Sequence, residues 1–266
     1  MSMSANRPKI LDLYSCAGGA GHGYFLAGFD VYAVDLDPQP RNPFPFYQGD
    51  AVAALKMLID GGAIPFTHKD GGVELLCLAD FDAVHASPPC QAFSAMKHMP
   101  DAKEHPELIE PTRELLMQLD VPWVIENVVG APLEDATILC GTMFGLGAAG
   151  FALQRHRQFE TSFDMEAPGA CDHSKPTIGI YGGHVRCRSS KFWRNTGADF
   201  PGYDKRALAV EAMGGTDWMT MNQMSEAIPP SYAEYVGRFM IAVNIWSDDL
   251  DTEADLIEVI AGALAA

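Results

Sequence analysis

A cysteine that could act as a nucleophile stands at the end of a predicted buried strand. The apolar run 81–86 predicts this strand, and Pro88 and Pro89 end it, because neither proline has a backbone N–H and each fixes its own φ. Cys90 follows at the carboxyl edge of the predicted sheet, where α/β proteins bind ligands. A thiol there becomes a nucleophile if its surroundings favour the thiolate. For an isolated cysteine a buried structural role is commoner, so the rest of the chain must decide.

A carboxyl group follows a second predicted strand in the same way. Glu126 comes directly after the apolar stretch 123–125, so it would share a cleft with Cys90. Burial would raise the pKa of this carboxyl group and let it hold or deliver a proton. The plainer alternative is a strand-end glutamate paired with a surface lysine.

The segment 12–21 predicts a strand that turns through glycines into a helix. Glycines let the backbone approach a ligand closely, and the helix N-terminus offers free amides. The spacing departs from the Gly-x-Gly-x-x-Gly of nicotinamide and flavin proteins, because Tyr24 stands at the third glycine position. An acid inside the strand, Asp12, suits a ligand with an ammonium group, of which S-adenosylmethionine is the obvious example. A plain glycine turn is the alternative.

Two further acids stand where a nucleoside would need them. Asp35 ends the predicted second strand and could accept both ribose hydroxyls, while Leu36 could lie on the adenine face. Asp50 lies where a third strand would end and could accept the adenine amino group. Each acid alone fits a helix cap equally well. In this order they predict a nucleoside site.

Two arginines stand two residues apart. On an extended segment Arg155 and Arg157 would share one face and could hold a carboxylate, a phosphate or a base edge. A solvated basic strand is the commoner explanation for such a pair standing alone.

The elements that must position these residues alternate between strand and helix from residue 9 to about 159. This rhythm predicts a parallel sheet covered by helices on both faces. Residues 61–72 are predicted to be a loose, glycine-rich stretch, and the chain beyond residue 160 loses periodicity and predicts a small irregular insert. The predicted divisions are 1–160 for the catalytic and cofactor-binding domain, 161–204 for the insert, 205–246 for a return to the catalytic domain, and 247–266 for an acidic tail.

Composition indicates a globular chain with an uneven charge. Of its 266 residues 48% are hydrophobic, the formal net charge is -17, and the six cysteines have no paired spacing, which favours reduced thiols and a cytoplasmic location. No membrane-spanning segment or signal peptide is expected. A uniformly basic surface is excluded, but residues 155–206 carry nine basic against six acidic side chains. A local basic patch there could still contact phosphates.

The order of these motifs resembles the cytosine-5 DNA methyltransferases, and among them the compact, phage-type members. The segment 12–19 is similar to the family's first motif, 89–94 to its catalytic-cysteine motif, and 126–128 to its Glu-Asn-Val motif. Arg155 and Arg157 are similar to its later paired arginines, and 228–237 to its closing motif. The departures are Tyr14 in place of Phe, Gln154 displaced by one position, and Glu226 in place of Asn.

The resemblance implies an S-adenosylmethionine-dependent methyltransferase, a Rossmann-like α/β fold with a doubly wound sheet and a small target-recognition insert. It implies a methyl transfer to carbon 5 of a flipped-out cytosine in double-stranded DNA, by a monomer and without a metal, in the cytoplasm of a bacterial or phage-infected cell. The implied catalytic residues are Cys90, Glu126, Arg155 and Arg157. The implied cofactor-binding residues are Asp12, Tyr14, Ser15, Gly18, Gly19, Asp35, Leu36, Asp50 and Pro89. The implied DNA-binding residues are Gln91, Ser94, Arg186, Arg188, Lys191 and Arg194; failing these, the DNA surface would lie around Lys97, Lys103 and Arg113.

Several alternatives stay open at this stage. The substrate could be a transfer RNA, as for some relatives, or the chain could be a catalytically idle DNA-binding relative. A nucleotide-dependent oxidoreductase is disfavoured by the broken glycine pattern. The sequence also leaves open whether Cys171, His173, His184 and Cys187 bind zinc, because their spacing is loose and ordinary loop residues are the commoner explanation.

Overall fold

A computed structural model of the chain describes residues 7–90, 93, 106–187, 200 and 202–246. Several predicted features lie outside the described residues, namely Gln91, Ser94, Arg188, Lys191, Arg194, Lys97, Lys103 and the predicted tail 247–266.

Thirteen strands and six α-helices make up the described fold. The strands are β1 (Lys9–Leu13), β2 (Asp30–Asp35), β3 (Phe46–Gln48), β4 (Ala63–Thr67), β5 (Val73–Cys77), β6 (Ala83–Ala86), β7 (Trp123–Val128), β8 (Thr137–Leu139), β9 (Gly147–Ala148), β10 (Phe151–Leu153), β11 (Arg157–Thr161), β12 (Thr177–Tyr181) and β13 (His184–Cys187). The helices are α1 (Gly19–Ala27), α2 (Ala51–Ile59), α3 (Ile109–Leu116), α4 (Lys205–Ala212), α5 (Met221–Glu226) and α6 (Pro230–Trp246).

Nine strands form the central sheet in the order β5-β4-β3-β2-β1-β6-β7-β11-β8. The centre is parallel, because β1 pairs in parallel with both β2 and β6, and β6 with β7. The chain runs outward from β1 to β3 and later returns to place β6 on the other side of β1. The strand order therefore reverses between β1 and β6, which is where open α/β sheets bind ligands.

Helices cover both faces of this sheet, as predicted. On one face Tyr24 of α1 and Tyr232 of α6 pack against Ile10 and Val124. On the other face α2 buries residues such as Leu55 among the apolar side chains of the same strands. Successive strand residues point to opposite faces, so the continuous apolar runs in β1 and β6 are what a sheet buried on both sides requires.

The prediction of a loose stretch over residues 61–72 is wrong in part, because a strand lies within it. Residues 63–67 and 73–77 form β4 and β5, an antiparallel hairpin at the edge of the sheet. Ile64 and Phe66 point inward and are fully buried, whereas Pro65 and Thr67 between and beyond them face out. The alternation is only five residues long and contains a proline, which is tolerated because β4 lies near the sheet edge.

The predicted insert is more regular than the sequence suggested, and the boundary at residue 160 is crossed. A second sheet has the order β13-β12-β10-β9, so it combines strands from 177–187 with strands from 147–153. Helices α4 and α5 bury Leu208, Ala209 and Met224 against Ile178 and Ile180 of this second sheet. Residues 205–226 thus belong with the small sheet, and within the described chain the return to the central sheet is made by α6.

Arg113 does not contribute to an exposed DNA surface. Its Nε donates to Glu160 Oε1 at 2.7 Å and its Nη2 to Oε2 at 2.8 Å, and both side chains are buried. The pair ties α3 to β11 beneath the surface.

Among the described residues no helix is both long and apolar enough to cross a bilayer.

The contact between α1 and α6 depends on a glycine. A Cβ added at Gly23 would lie 2.1 Å from the Pro230 carbonyl oxygen and 2.7 Å from the Glu234 backbone nitrogen. Because both atoms belong to helix backbone, the two helices could accept a side chain only by moving apart.

We expect Gly23→Ala to lower the free energy of unfolding by about 1–3 kcal/mol, the usual cost of overpacking. The measurement is urea unfolding followed by circular dichroism. Leu26→Ala is the matched control, because Leu26 lies on the same helix and is half exposed. A Gly23→Ala protein as stable as wild type would show that the helices are not held this closely.

Candidate active site

Seven of the predicted functional residues come together at the carboxyl ends of β1, β6 and β7, namely Asp12, Tyr14, Ser15, Gly19, Pro89, Cys90 and Glu126. A cleft opens there, at the point where the strand order reverses. It is lined by the end of β1 and the start of α1, by the turn after β6, by the end of β7, and by the segment before α6. Its lining residues are Asp12, Tyr14, Ser15, Cys16, Gly19, Ala20, Ser87, Pro88, Pro89, Cys90, Glu126, Glu226, Ala227 and Ile228.

Asp12 is a buried carboxyl group without a partner. It is fully buried on β1, and neither of its oxygens makes a hydrogen bond of regular geometry among the described residues, although the Gly21 backbone N–H is close enough to lower its pKa slightly. Burial raises its pKa to about 8, and the negative charge of Asp35 adds to this rise. An unpaired buried carboxylate is costly, so its position in the cleft indicates a cationic ligand.

The turn after β1 brings the backbone close to the cleft. Tyr14 and Gly18 have positive φ values of 59° and 81°, and Gly18 precedes the first residue of α1. The Tyr14 hydroxyl lies 2.8 Å from Thr112 Oγ1, and Ser15 is buried beside it. A Cβ added at Gly19 would lie 3.0 Å from the Ile228 carbonyl oxygen, so the closing segment depends on this glycine.

The remaining acids of the predicted nucleoside site are at strand ends. Asp35 accepts the Cys16 N–H at 2.8 Å and the Asp37 N–H at 3.0 Å, which fixes its carboxylate at the cleft edge. Leu36 is 65% exposed, an apolar surface next to Asp35. Asp50 caps α2 by accepting the Ala53 N–H at 2.8 Å. The helix-cap alternative is therefore observed for Asp50.

Cys90 sits at the end of a turn that the neighbouring strand supports. Asn127 is buried after Glu126 on β7, and its Nδ2 donates to the Pro88 carbonyl oxygen at 2.9 Å. Burial raises the pKa of the Cys90 thiol, the Arg157 charge lowers it, and the Glu126 charge raises it. The middle residue of the Glu-Asn-Val motif thus anchors the Pro-Pro turn that presents Cys90.

Glu126 and Arg157 form a buried ion pair. Arg157 Nε lies 3.0 Å from Glu126 Oε1, and the two side chains are 12% and 8% exposed. Burial raises the pKa of Glu126 above its usual value, and Arg157 opposes that rise. Glu126 can therefore hold a proton more readily than a surface glutamate, with Arg157 fixing its orientation.

Arg155 and Arg157 make different contacts, although the charges of both act on Cys90 and Glu126. Arg155 has a φ of 31°, which breaks the extended alternation that the prediction assumed. Its buried guanidinium donates to the carbonyl oxygens of Ala227 at 2.8 Å, Ile180 at 3.0 Å and Ser225 at 2.7 Å. Arg155 therefore holds the segment before α6, and does not line the cleft.

A buried polar chain reaches Glu126 from inside the protein, and sequence reasoning missed it. The Tyr24 hydroxyl lies 2.8 Å from His85 Nδ1, His85 Nε2 lies 2.7 Å from Ser87 Oγ, and the Ser87 hydroxyl bonds to Glu126. Burial lowers the pKa of His85 to about 3, so the ring is neutral. The polar His85 inside the apolar run 83–86 was the available signal.

A third acid, Glu226, lies in the same cleft. Burial raises the pKa of Glu226, and Asp35 adds to the rise. Together with Asp12 and Asp35 it places three carboxyl groups on one side of the cleft, and each of them becomes negatively charged when it loses its proton. This charge suits a ligand with a positively charged sulfur and an ammonium group.

Of the predicted DNA-binding residues, only Arg186 is described. It lies on β13 opposite Gly179, with its side chain exposed. It belongs to the second sheet and lines no part of the cleft described above.

Comparison with known proteins shows two curated relatives. A Type II methyltransferase of Thalassovita gelatinovora, M.AgeI, is 27% identical over 173 residues, which cover 63% of this chain and 37% of that protein. M.XorII, a Type II methyltransferase of Xanthomonas oryzae pv. oryzae, is 30% identical over 126 residues, 47% of this chain and 29% of the relative. The match thus spans about a third of the length of these relatives. No protein-family model matches the chain.

Solved structures share the fold over nearly all of the chain. A protein described as a DNA modification methyltransferase of an E. coli prophage has a TM-score of 0.55 and 15% identity, covering 90% of this chain and 99% of its own. The S. pombe Dnmt2 methyltransferase has the same TM-score and 13% identity, covering 90% and 100%. The predicted Rossmann-like methyltransferase fold and the resemblance to DNA modification methyltransferases are confirmed.

The raised pKa of Asp12 makes a testable statement about stability. The folded protein binds one more proton at Asp12 than the unfolded chain between pH 3.8 and about 8, so this group lowers stability as the pH rises through that window. Asparagine does not titrate. We therefore expect the stability of Asp12→Asn, relative to wild type, to increase by about 2 kcal/mol between pH 6 and pH 8.

Urea unfolding at the two pH values, without ligand, measures this difference. Asp37→Asn is the control, since Asp37 is exposed. A difference between Asp12→Asn and wild type that does not change with pH would mean that Asp12 ionises normally in the folded protein.

Proposed function

We propose that the chain is a DNA (cytosine-5)-methyltransferase that uses S-adenosylmethionine. The observation that supports this most strongly is the pairing, in one cleft, of the Cys90 thiol with a buried Glu126 whose pKa is raised. A thiol and a protonated carboxyl are what the activation of a pyrimidine ring requires. The similarity to Type II methyltransferases supports DNA as the substrate.

The residues of the cleft fit S-adenosylmethionine. Asp12 offers a buried carboxylate without a partner, and Asp35 and Glu226 add negative charge. We propose that Asp35 holds the ribose hydroxyls and that the exposed Leu36 covers the adenine. When bound, S-adenosylmethionine supplies an electrophilic methyl group on a sulfonium.

Cys90 provides the covalent activation. Carbon 5 of an unmodified cytosine is too weak a nucleophile to accept a methyl group. Attack of the Cys90 thiolate on carbon 6 forms a carbon–sulfur bond and moves electron density to carbon 5. After carbon 5 is methylated, loss of its proton restores the ring double bond and expels the thiolate.

Glu126 offsets the negative charge that this attack would place on the ring. In its protonated form it donates to ring nitrogen 3, and burial keeps the proton available. Arg157 orients Glu126 through the ion pair at 3.0 Å and favours the Cys90 thiolate. Arg155 contributes indirectly, as a positioning residue that holds the segment 224–227 through hydrogen bonds to its carbonyl oxygens.

The target base must leave the stack to reach this cleft. A cytosine inside a duplex presents neither face of carbon 6 to a thiol, so the base flips out. We propose that the second sheet and the residues that follow it, through 204, read the DNA sequence, with the exposed Arg186 as one contact. The basic excess of 155–206 would attract phosphates on an otherwise acidic chain.

The product of the reaction tests this proposal directly. The protein is incubated with methyl-labelled S-adenosylmethionine and either unmethylated duplex DNA or transfer RNA, and the nucleosides are analysed by mass spectrometry. We expect 5-methyldeoxycytidine from DNA. Methylation of an exocyclic nitrogen, of RNA alone, or of neither nucleic acid would contradict the proposal and favour one of the other functions.

We expect Cys90→Ala to abolish methyl transfer and to leave the affinity for S-adenosylmethionine within a few-fold of wild type. The thiol supplies the covalent bond to the base, whereas the acids of the cofactor side are separate from it. Turnover is measured by methyl incorporation and affinity by calorimetry. Cys77→Ala is the control, because Cys77 is exposed on β5, away from the cleft.

DNA that carries 5-fluorocytosine at the target should trap wild-type protein but not Cys90→Ala. Because fluorine replaces the hydrogen at carbon 5, no proton can be lost after methyl transfer. The thiol is then not expelled, and the covalent adduct persists in denaturing gels. Substantial turnover by Cys90→Ala would remove Cys90 as the nucleophile.

A further inference from the structure

Two cysteines and two histidines that do not line the cleft come together in the structure. Cys140, His156, Cys171 and His173, here called the Cys2His2 cluster, place one sulfur or ring nitrogen each within 4.8 Å of all the others. The set differs from the one that the sequence suggested. Cys171 and His173 join Cys140 and His156, while among the described residues His184 and Cys187 belong to no such group.

The distances in the Cys2His2 cluster suit a single small ion. Zinc binds sulfur at about 2.3 Å and imidazole nitrogen at about 2.0–2.1 Å in a tetrahedron, so neighbouring ligand atoms lie about 3.3–3.8 Å apart. Cys140 Sγ lies 3.6 Å from His173 Nε2. The rings of His156 and His173 are nearly perpendicular, with centroids 5.0 Å apart, so that they can present nitrogens to a common point.

The Cys2His2 cluster joins three separate parts of the chain. Cys140 follows β8 and is fully buried, and His156 lies between β10 and β11. Cys171 and His173 are exposed on the connection 162–176, which contains no helix or strand. Connections this long without secondary structure are uncommon in compact domains, and this one is held at Met165, which is buried and whose carbonyl oxygen accepts the Thr137 hydroxyl at 2.8 Å.

Other contacts already hold the cluster together. Thr142 Oγ1 lies 3.2 Å from Cys140 Sγ and also accepts the Asp172 N–H at 3.2 Å. Asp172 in turn accepts the Ser174 N–H at 2.8 Å, which closes a turn around His173. The ligand on the connection is thereby positioned toward the buried thiol, as the supporting contacts of metal sites usually do.

We propose that the Cys2His2 cluster binds one structural Zn²⁺. Two thiolates and two neutral imidazoles complete a tetrahedron, so no position remains for water or substrate. Binding releases the two thiol protons to solvent, and the two thiolate charges balance the ion. The ion would fasten the connection 162–176 to the end of β8 and to His156, the residue between Arg155 and Arg157.

The test begins with the metal content of the full-length protein, purified without a polyhistidine tag. After equilibration with Zn²⁺ and dialysis, inductively coupled plasma mass spectrometry should find about one zinc ion per chain. Cys171→Ser and His173→Ala should each lower this content at least tenfold; both residues are exposed, so the variants are expected to fold. Cys187→Ser and His184→Ala are matched controls and should retain the metal.

Thermal unfolding supplies a second measurement. A chelator should lower the melting temperature of the wild-type protein, added zinc should restore it, and Cys171→Ser should respond to neither. The proposal is overturned if the wild-type protein retains no zinc, or if the control variants lose it equally. It is also overturned if thiol titration of the oxidant-free, denatured protein finds four free thiols instead of six, because Cys140 and Cys171 would then form a disulfide.

Discussion

A buried guanidinium holds the last part of the fold against the sheet that carries the reactive groups. Among the residues that the structure describes, Arg155 donates only to backbone carbonyl oxygens, one from β12 and the others from residues 224–227. Burial and the Arg157 charge lower its pKa to about 10, but it remains protonated at neutral pH. A buried cation is stable only when its donors are satisfied, so the segment must stay where it is. The same segment, through Ala227 and Ile228, forms one wall of the cleft.

These contacts of Arg155 connect the small sheet to the central sheet. The backbone of Arg155 is also fixed, since the Tyr232 hydroxyl donates to its carbonyl oxygen at 3.0 Å. Tyr232 belongs to α6, which packs tightly on α1 through Gly23. The cofactor side of the cleft, the small sheet and the terminal helix therefore meet around one residue.

The sequence predicted the central sheet and most of the cleft because both depend on local signals. The strands β1, β2, β6 and β7 have apolar runs, and the polar residues at their ends fall at one edge by the geometry of parallel strands. Helix α2 depends on equally local features, because Asp50 caps it and an amphipathic run follows. The same geometry of parallel strands brings Cys90, Glu126 and Asp12 into one cleft.

What the sequence could not predict depends on contacts between distant residues. Cys140 meets Cys171 only because β8 and the connection 162–176 lie side by side, and no spacing rule encodes this. The hydrogen bonds of Arg155 to the segment 224–227 join residues about 70 positions apart, and its positive φ is unusual for a residue other than glycine. The hydrogen-bonded chain from Tyr24 to Ser87 crosses between α1 and β6, so it required the packing of both elements.

The pKa of about 8 at Asp12 also couples the cleft to the acidity of its surroundings. Near neutral pH this carboxyl is mostly protonated, whereas a cation that pairs with it favours the carboxylate. Binding such a cation then expels a proton, and the affinity rises with pH until Asp12 is already ionised. The side of the cleft that holds Asp12 would therefore exchange one proton for one positively charged ligand.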